Sequence, residues 1–288
     1  MRHPRLSSAA GPARAGAGPA AGPAVPPLVA VAHGSADPRA AATIAELMEL
    51  VRELASRDGL PALDARTAYL GHAPPSVRQV LGALAGPAPQ LVVVLPLLLT
   101  AAYHSEVDLP AMLDEARRAL PGLSVSYGEV LGPDPLLLRA LDRRLAESGV
   151  AGPARDTAVV LAAAGSGRPA ANAAVARLAA SWQAARGWRA VVPAYASAAA
   201  PAPAAAVSAL LRDGAPRVVV ATYLLAPGVF ADQVAEASLR AGASAVSGAL
   251  GASPELATLI LRRYAEAVAR PGRAGRDPEM PARLGSCR

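Results

Sequence analysis

His33 and His104 are the residues of this chain best suited to chemistry. A neutral imidazole ligates divalent iron, cobalt, nickel and zinc, and it accepts a proton near neutral pH. His33 closes the short apolar run Leu28–Ala32 (LVAVA), and His104 follows the run around Val93. A single histidine in such a place is ordinarily a loop residue bonded to backbone. Two at strand ends are a candidate pair, because neighbouring parallel strands lie about 5 Å apart and open α/β sheets bind ligands outside their strand carboxyl ends. Glu106 and Asp108 flank His104. Either one orients the imidazole, or both only complement a helix N-terminus. Ser35 has no nucleophile elbow or triad order around it, so its hydroxyl caps a helix or touches a ligand. Ala164–Gly167 (AGSG) lacks dinucleotide spacing, and the chain has no lysine for a phosphate loop. Cys287 is the single cysteine, which leaves no disulfide framework and no thiolate metal cluster. His3 is assigned no role.

The elements that must position these groups follow from hydrophobic period. Leu28–Ala32 reads as a buried strand, and Ala40–Ala55 as a helix entered through Asp37 and Pro38. A weaker strand over Ala62–Tyr69, a helix from Pro75 to Leu84 and a strand over Gln90–Leu95 follow. Glu106–Leu120 predicts a helix, Leu123–Tyr127 a strand and Pro135–Glu147 a helix. After Gly152-Pro153 the order restarts. Strands are expected at Thr157–Ala162, Ala190–Tyr195, Arg217–Thr222 and Ala245–Gly248, with helices at Pro169–Ala185, Ala204–Leu211, Phe230–Ala241 and Pro254–Ala269. Alternating strands and helices of this length predict an α/β protein with parallel sheets.

The restart is an internal duplication. His33-Gly34-Ser35 with Pro38 matches Ala164-Gly165-Ser166 with Pro169, Ala68-Tyr69 matches Ala194-Tyr195, and Val92–Val94 matches Val218–Val220. Leu98-Leu99 matches Leu224-Leu225, and Leu131-Gly132 matches Leu250-Gly251. The expected architecture is two tandem related domains, each a parallel sheet flanked by helices, over 27–152 and 153–270. The Ala/Gly/Pro/Arg stretches 1–26 and 271–288 predict a disordered leader and tail. The second half carries Ala164 in place of His33, and Phe230 or Ala231 in place of His104. Joint loss of both imidazoles is what a site kept in one half and lost in the other would leave.

Leu28–Pro38 (LVAVAHGSADP) resembles the opening of the class II chelatases of modified tetrapyrrole synthesis. Leu95–Pro110 (LPLLLTAAYHSEVDLP) is similar to their second signature, matched in order by Tyr103, His104, Asp108, Leu109 and Pro110; Ala102 stands where Gly is common. Ala68–Ser76 (AYLGHAPPS) resembles a segment that often carries an acidic residue after the Leu, and here Gly71 stands there with His72 following. The second half resembles the degenerate copy of the long, two-domain members, so the likeness runs from about residue 27 to 270. It implies insertion of Fe(II) into sirohydrochlorin for siroheme, or of Co(II) toward cobalamin. It implies His33 and His104 as metal ligands and proton acceptors, with Gly34, Ser35, His72 and Tyr103 toward the substrate in a cleft between the halves. It implies no organic cofactor, the divalent metal being a substrate. A donor set without cysteine suits an ion that must be released. A non-catalytic tetrapyrrole or metal-binding module is the alternative, and a hydrolase using Ser35 lacks its triad.

Composition fits a core large enough for an enzyme: 288 residues, 53% hydrophobic, 17% charged. All 28 basic residues are arginine and the net charge is +6. They are scattered and aromatics are few, which is unlike a nucleic-acid surface and is read as genome bias. Arg39, Arg66 and Arg78 are candidate partners for an acidic macrocycle by charge alone. The longest apolar run, Leu91–Tyr103, is too short for a membrane span, and the N-terminus lacks the apolar core of a signal peptide. The expectation is a cytoplasmic protein of unspecified oligomeric state.

Overall fold

The computed structural model describes residues 25–61, 63–86, 90–152 and 155–270. The expected leader, apart from Val25 and Pro26, and the expected tail lie outside the described residues. Val25 packs against the core, and the Pro26 carbonyl accepts a bond from the Tyr264 hydroxyl at 2.7 Å. Packed chain therefore begins ahead of the expected boundary at 27.

In the first half, β1 (Leu28–Ala32), β2 (Ala65–Tyr69), β3 (Gln90–Pro96) and β4 (Leu123–Tyr127) form one parallel sheet in the order β2-β1-β3-β4. Leu28 aligns with both Ala65 and Val93. Helices α1 (Pro38–Arg57), α2 (Val77–Leu84) and α3 (Leu109–Ala119) connect these strands, and α4 (Pro135–Glu147) follows. The second half repeats this with β5 (Thr157–Ala163), β6 (Ala190–Tyr195), β7 (Arg217–Tyr223) and β8 (Ala245–Val246), in the order β6-β5-β7-β8. Its helices are α5 (Pro169–Arg186), α6 (Pro203–Arg212), α7 (Val229–Arg240) and α8 (Pro254–Ala269). Strand order reverses between β1 and β3, and again between β5 and β7. Such reversals open a crevice at the strand carboxyl ends.

Local chemistry explains the boundaries. The Asp37 side chain accepts from the Arg39 N–H and Pro38 opens α1, as a cap and first-turn proline should. Ser76 and Gln79 form a reciprocal capping box, so α2 starts at Val77 rather than Pro75. Strand β2 starts at Ala65, later than expected, and β8 stops at Val246. The largest difference lies at Glu106–Leu120. A π-helical turn, His104–Asp108, precedes α3, with the Leu109 N–H reaching the His104 carbonyl. Pro110 has no N–H to close the ordinary four-residue bond, and its ring crowds the carbonyl of Glu106.

Alternate residues of each strand enter different cores. Leu28, Ala30, Val93 and Leu95 face a central core that also takes in Val159, Leu161 and Val219. Val29, Val31, Val92 and Val94 face a separate layer with α2 and α3, and Ala158, Val160 and Val218 face their own layer beyond the second sheet. The central core is thus common to both halves. Across it the final helices are exchanged: α8 packs on β3 and β4 of the first sheet, and α4 on β7 of the second. Ser126 donates to the Ala267 carbonyl at 2.8 Å, and Arg143 pairs with Glu255 at 2.6 Å. Packing therefore crosses the expected division at 153.

Candidate active site

One cleft of ≈ 810 Å³ opens between the halves at the strand carboxyl ends. The first half lines it with His33–Asp37, His72 and Leu97–His104, and the second with Ala163–Gly167, Ala198 and Tyr223–Ala231. Every site residue expected from the sequence reaches it: His33, Gly34, Ser35, His72, Tyr103 and His104. Among the described residues, Asp37 is the sole carboxylate in the lining and no arginine lines it.

His33 and His104 meet edge to face, with ring centroids 4.8 Å apart and planes at 81°. Nitrogen lone pairs lie in the ring plane. Ring centres this close bring both imidazoles within reach of one ion. His104 Nδ1 lies 2.6 Å from Asp108 Oδ2. An ionised carboxylate only accepts, so Nδ1 is the donor, and in the neutral ring the lone pair is then on Nε2. His33 Nδ1 contacts the Gly34 carbonyl at 3.2 Å, which assigns its tautomer in the same way. Asp108 is thus the orienting partner, through the i, i+4 relation across the π turn, and Glu106 is committed elsewhere. The Tyr127 hydroxyl holds that turn by donating to the Ser105 carbonyl at 2.7 Å. Burial, with nearby acids, pushes the Tyr127 phenol well above its ordinary value.

His72 stands apart from this pair. Its ring stacks nearly parallel to that of His33, centroids 6.2 Å apart and 17° between planes. His72 is thus farther from His33 than His104 is, and it does not complete a three-ligand group. Among the described residues, no group of three or more His, Cys, Asp or Glu is disposed as a metal site. A two-imidazole set holds an ion openly, as cargo requires.

The backbone beneath is repeated closely. Gly34 has φ +90° and lies so near the Gly71 carbonyl that a Cβ would sit 1.8 Å from its oxygen; Gly165 has φ +87° and the Ser197 oxygen would be 1.9 Å away. His72 has φ 62°, and Ala198, its counterpart, φ 58°. The left-handed backbone at His72 is therefore a property of the repeated loop, and only the side chain differs. Matching Val93 with Val219 places Phe230 opposite His104. All three cleft histidines are absent from the second copy, as Ala164, Ala198 and Phe230; the His72–Ala198 match escapes short motif comparison because Gly71 and Ser197 differ between them.

Ser35 Oγ accepts the Asp37 N–H at 3.0 Å, so it shapes the entry to α1 at the cleft wall. Of the arginines expected by charge, Arg66 pairs with Asp64 and Arg78 with Glu115, both away from the lining. Arg39 binds Asp37 and reaches across the rim to Asp232 of the second half. Those hydrogen bonds, Asp37 first and Asp232 second, raise its pKa. The sequence reading missed the matching contact from the other side: Arg168 pairs with Glu106 and lies 5.7 Å over the Tyr103 ring. Tyr223 of the second half donates to the Leu99 carbonyl at 3.1 Å, and burial pushes its phenol well above its ordinary value.

Two tandem parallel sheets, with switch-point loops facing across one cleft and an imidazole pair on one side of it, define a class II chelatase architecture. The chain belongs to the CbiX family: the CbiX family model matches it twice, over residues 27–148 and 158–267. The duplication read from short motifs is thereby shown. Among curated relatives, the sirohydrochlorin cobaltochelatase of Priestia megaterium is 28% identical over 244 residues, 82% of this chain and 78% of that one. The sirohydrochlorin ferrochelatase of Bacillus subtilis is 28% identical over 143 residues, 50% of this chain and 54% of that one. Among solved structures, SirB from Bacillus subtilis with Fe3+ superposes with a TM-score of 0.71 at 23% identity, covering 84% of this chain and 95% of SirB. No helix among the described residues is long and apolar enough to cross a membrane.

Proposed function

We propose that this chain is a sirohydrochlorin chelatase that inserts Fe(II). The observation that carries the reading is the edge-to-face His33–His104 pair, ring centres 4.8 Å apart, beside a largely apolar cleft that suits a flat macrocycle. The substrate is supported by the relatives' names, which include both a cobaltochelatase and a ferrochelatase. Insertion breaks two pyrrole N–H bonds, releases two protons, and leaves the ion bound by the four ring nitrogens. As the ion passes from His33 and His104 to the ring nitrogens, each freed Nε2 lone pair takes one of those protons. Asp108 stabilises the imidazolium formed at His104. No organic cofactor enters this sequence, and the setting is the cytoplasm.

Cobalt is the second reading, and the longer alignment, to a cobaltochelatase, favours it. Imidazole serves Fe(II) and Co(II) alike, so the test carries both metals. Purified protein, sirohydrochlorin and Fe2+ or Co2+ are followed anaerobically by absorbance. Iron is expected to give the larger kcat/KM; a larger value with cobalt selects the second reading. No acceleration over the spontaneous rate with either metal overturns both and leaves a binding module. His33→Ala and His104→Ala are each expected to lower kcat by about 100-fold or more, as loss of a ligand and proton acceptor implies, with unchanged circular dichroism.

A further inference from the structure

We propose that Arg39 and Arg168 bind the peripheral carboxylates of the tetrapyrrole, and that Asp232 and Glu106 hold those guanidinium groups until the substrate displaces them. The inference rests on the chelatase reading above. The macrocycle is a flat ring edged with carboxylates, and the cleft lining contains no cation except whatever charge its histidines take up. Its described lining is mostly apolar, so cations for those carboxylates must come from the rim. Two guanidiniums stand there, each adjoining lining residues: Arg39 beside Asp37 and Ala40, and Arg168 beside Gly167 and over Tyr103.

Each is bonded to an acid of the opposite half, and Arg39 is held as well by Asp37 of its own half. Arg39 Nη2 lies 2.5 Å from Asp232 Oδ2, and Arg168 binds Glu106. The two acids occupy the same place in the repeat, thirteen residues beyond the matched Val93 and Val219. The two arginines both stand where the chain enters the first helix of its half, before α5 and in the first turn of α1. The rim thus carries two ion pairs between the halves whose acids are matched by the duplication; the arginines are not, since matching Pro38 with Pro169 sets Arg168 against Asp37 and Arg39 against Ala170. Side-chain exposures of 51% and 57% for Arg39 and Asp232, and of 43% and 47% for Arg168 and Glu106, leave both pairs open to exchange. Pairs so exposed add little to stability, whereas a substrate carboxylate presents the same two-oxygen partner to the same fork.

The rival account is a pair of struts that only tie the halves together. The two accounts differ in sign. For a strut, removing the acid or the arginine breaks the same bond, so both variants shift binding the same way. For substrate-binding arginines, removing the acid frees Arg168 and leaves Arg39 to Asp37 alone, whereas removing the arginine deletes the cation. The experiment compares Arg39→Gln, Arg168→Gln, Asp232→Asn and Glu106→Gln by fluorescence titration with metal-free sirohydrochlorin and by KM with metal present. The arginine variants are expected to raise Kd and KM about 5- to 10-fold, the worth of a half-exposed charged hydrogen bond, with kcat within about twofold. The acid variants are expected to leave Kd unchanged or lower it. Raising ionic strength is expected to weaken wild-type binding more than binding to either arginine variant. Equal shifts of acid and arginine variants, or no shift in the arginine variants, overturn the proposal while leaving the chelatase reading intact. A wild-type protein that neither binds nor metallates sirohydrochlorin overturns both.

Discussion

His104 is as useful as its tautomer, and Asp108 sets that tautomer by holding Nδ1 at 2.6 Å. Asp108→Asn removes the charge that stabilises the imidazolium and allows the amide to donate, which favours the wrong ring nitrogen. Such partners of a ligating histidine are worth about 10- to 100-fold in affinity or activity. Asp108→Asn is therefore expected to weaken Co2+ binding and lower kcat by about 10-fold, read by Co2+ titration and initial rates. Affinity and rate both within twofold of wild type would show that the contact does not orient the ring. His33 and His104 were legible as candidates in sequence because each sits at a short, fixed distance from a strand end or helix start. The choice between Glu106 and Asp108 was not. The π turn puts Asp108 under His104 and turns Glu106 toward Arg168, and that turn depends on Pro110.

Each half builds its site wall from one strand–loop–helix unit. In both, a glycine follows the strand with positive φ against the carbonyl of the next strand's loop. A Cβ there meets backbone, which cannot step aside. Gly34→Ala and Gly165→Ala are each expected to cost about 2–4 kcal/mol, combining the left-handed penalty with overpacking, read by chemical denaturation. Only Gly34→Ala is expected also to weaken metal binding in whatever remains folded, because only that loop carries an imidazole. Two variants as stable as wild type would show that the loops relax freely. Strand and helix positions were legible to within a few residues because burial on both faces leaves continuous apolar runs, and because Asp37 with Pro38 announces the start of α1; the caps at Ser76 and Ser253 were not read from the sequence. The single helix expected over Glu106–Leu120 failed at Pro110, since apolar period does not record how a turn closes.

The halves share one core and exchange their last helices, so neither is complete without the other. Tyr264 of α8 is buried and donates to Pro26 ahead of the first strand. Tyr264→Ala removes a buried aromatic ring and leaves that carbonyl unpaired, at a cost of about 3 kcal/mol or more. It is expected to lower a single cooperative transition monitored by Trp182 and Trp188 fluorescence and by circular dichroism, although Tyr264 touches the first half and both tryptophans lie in the second. Two separate transitions, with only one moved, would show the halves to be independent. The duplication, the parallel α/β class and the location of imidazoles in one copy were all present in the residue order, because each depends on local period or on comparison of short segments. The perpendicular ring pair, the crossed helices and the rim pair joining Arg39 to a residue 193 positions away were decided by tertiary structure alone. Such contacts arise from how two twisted sheets pack through a common core, and no local pattern of side chains encodes that approach.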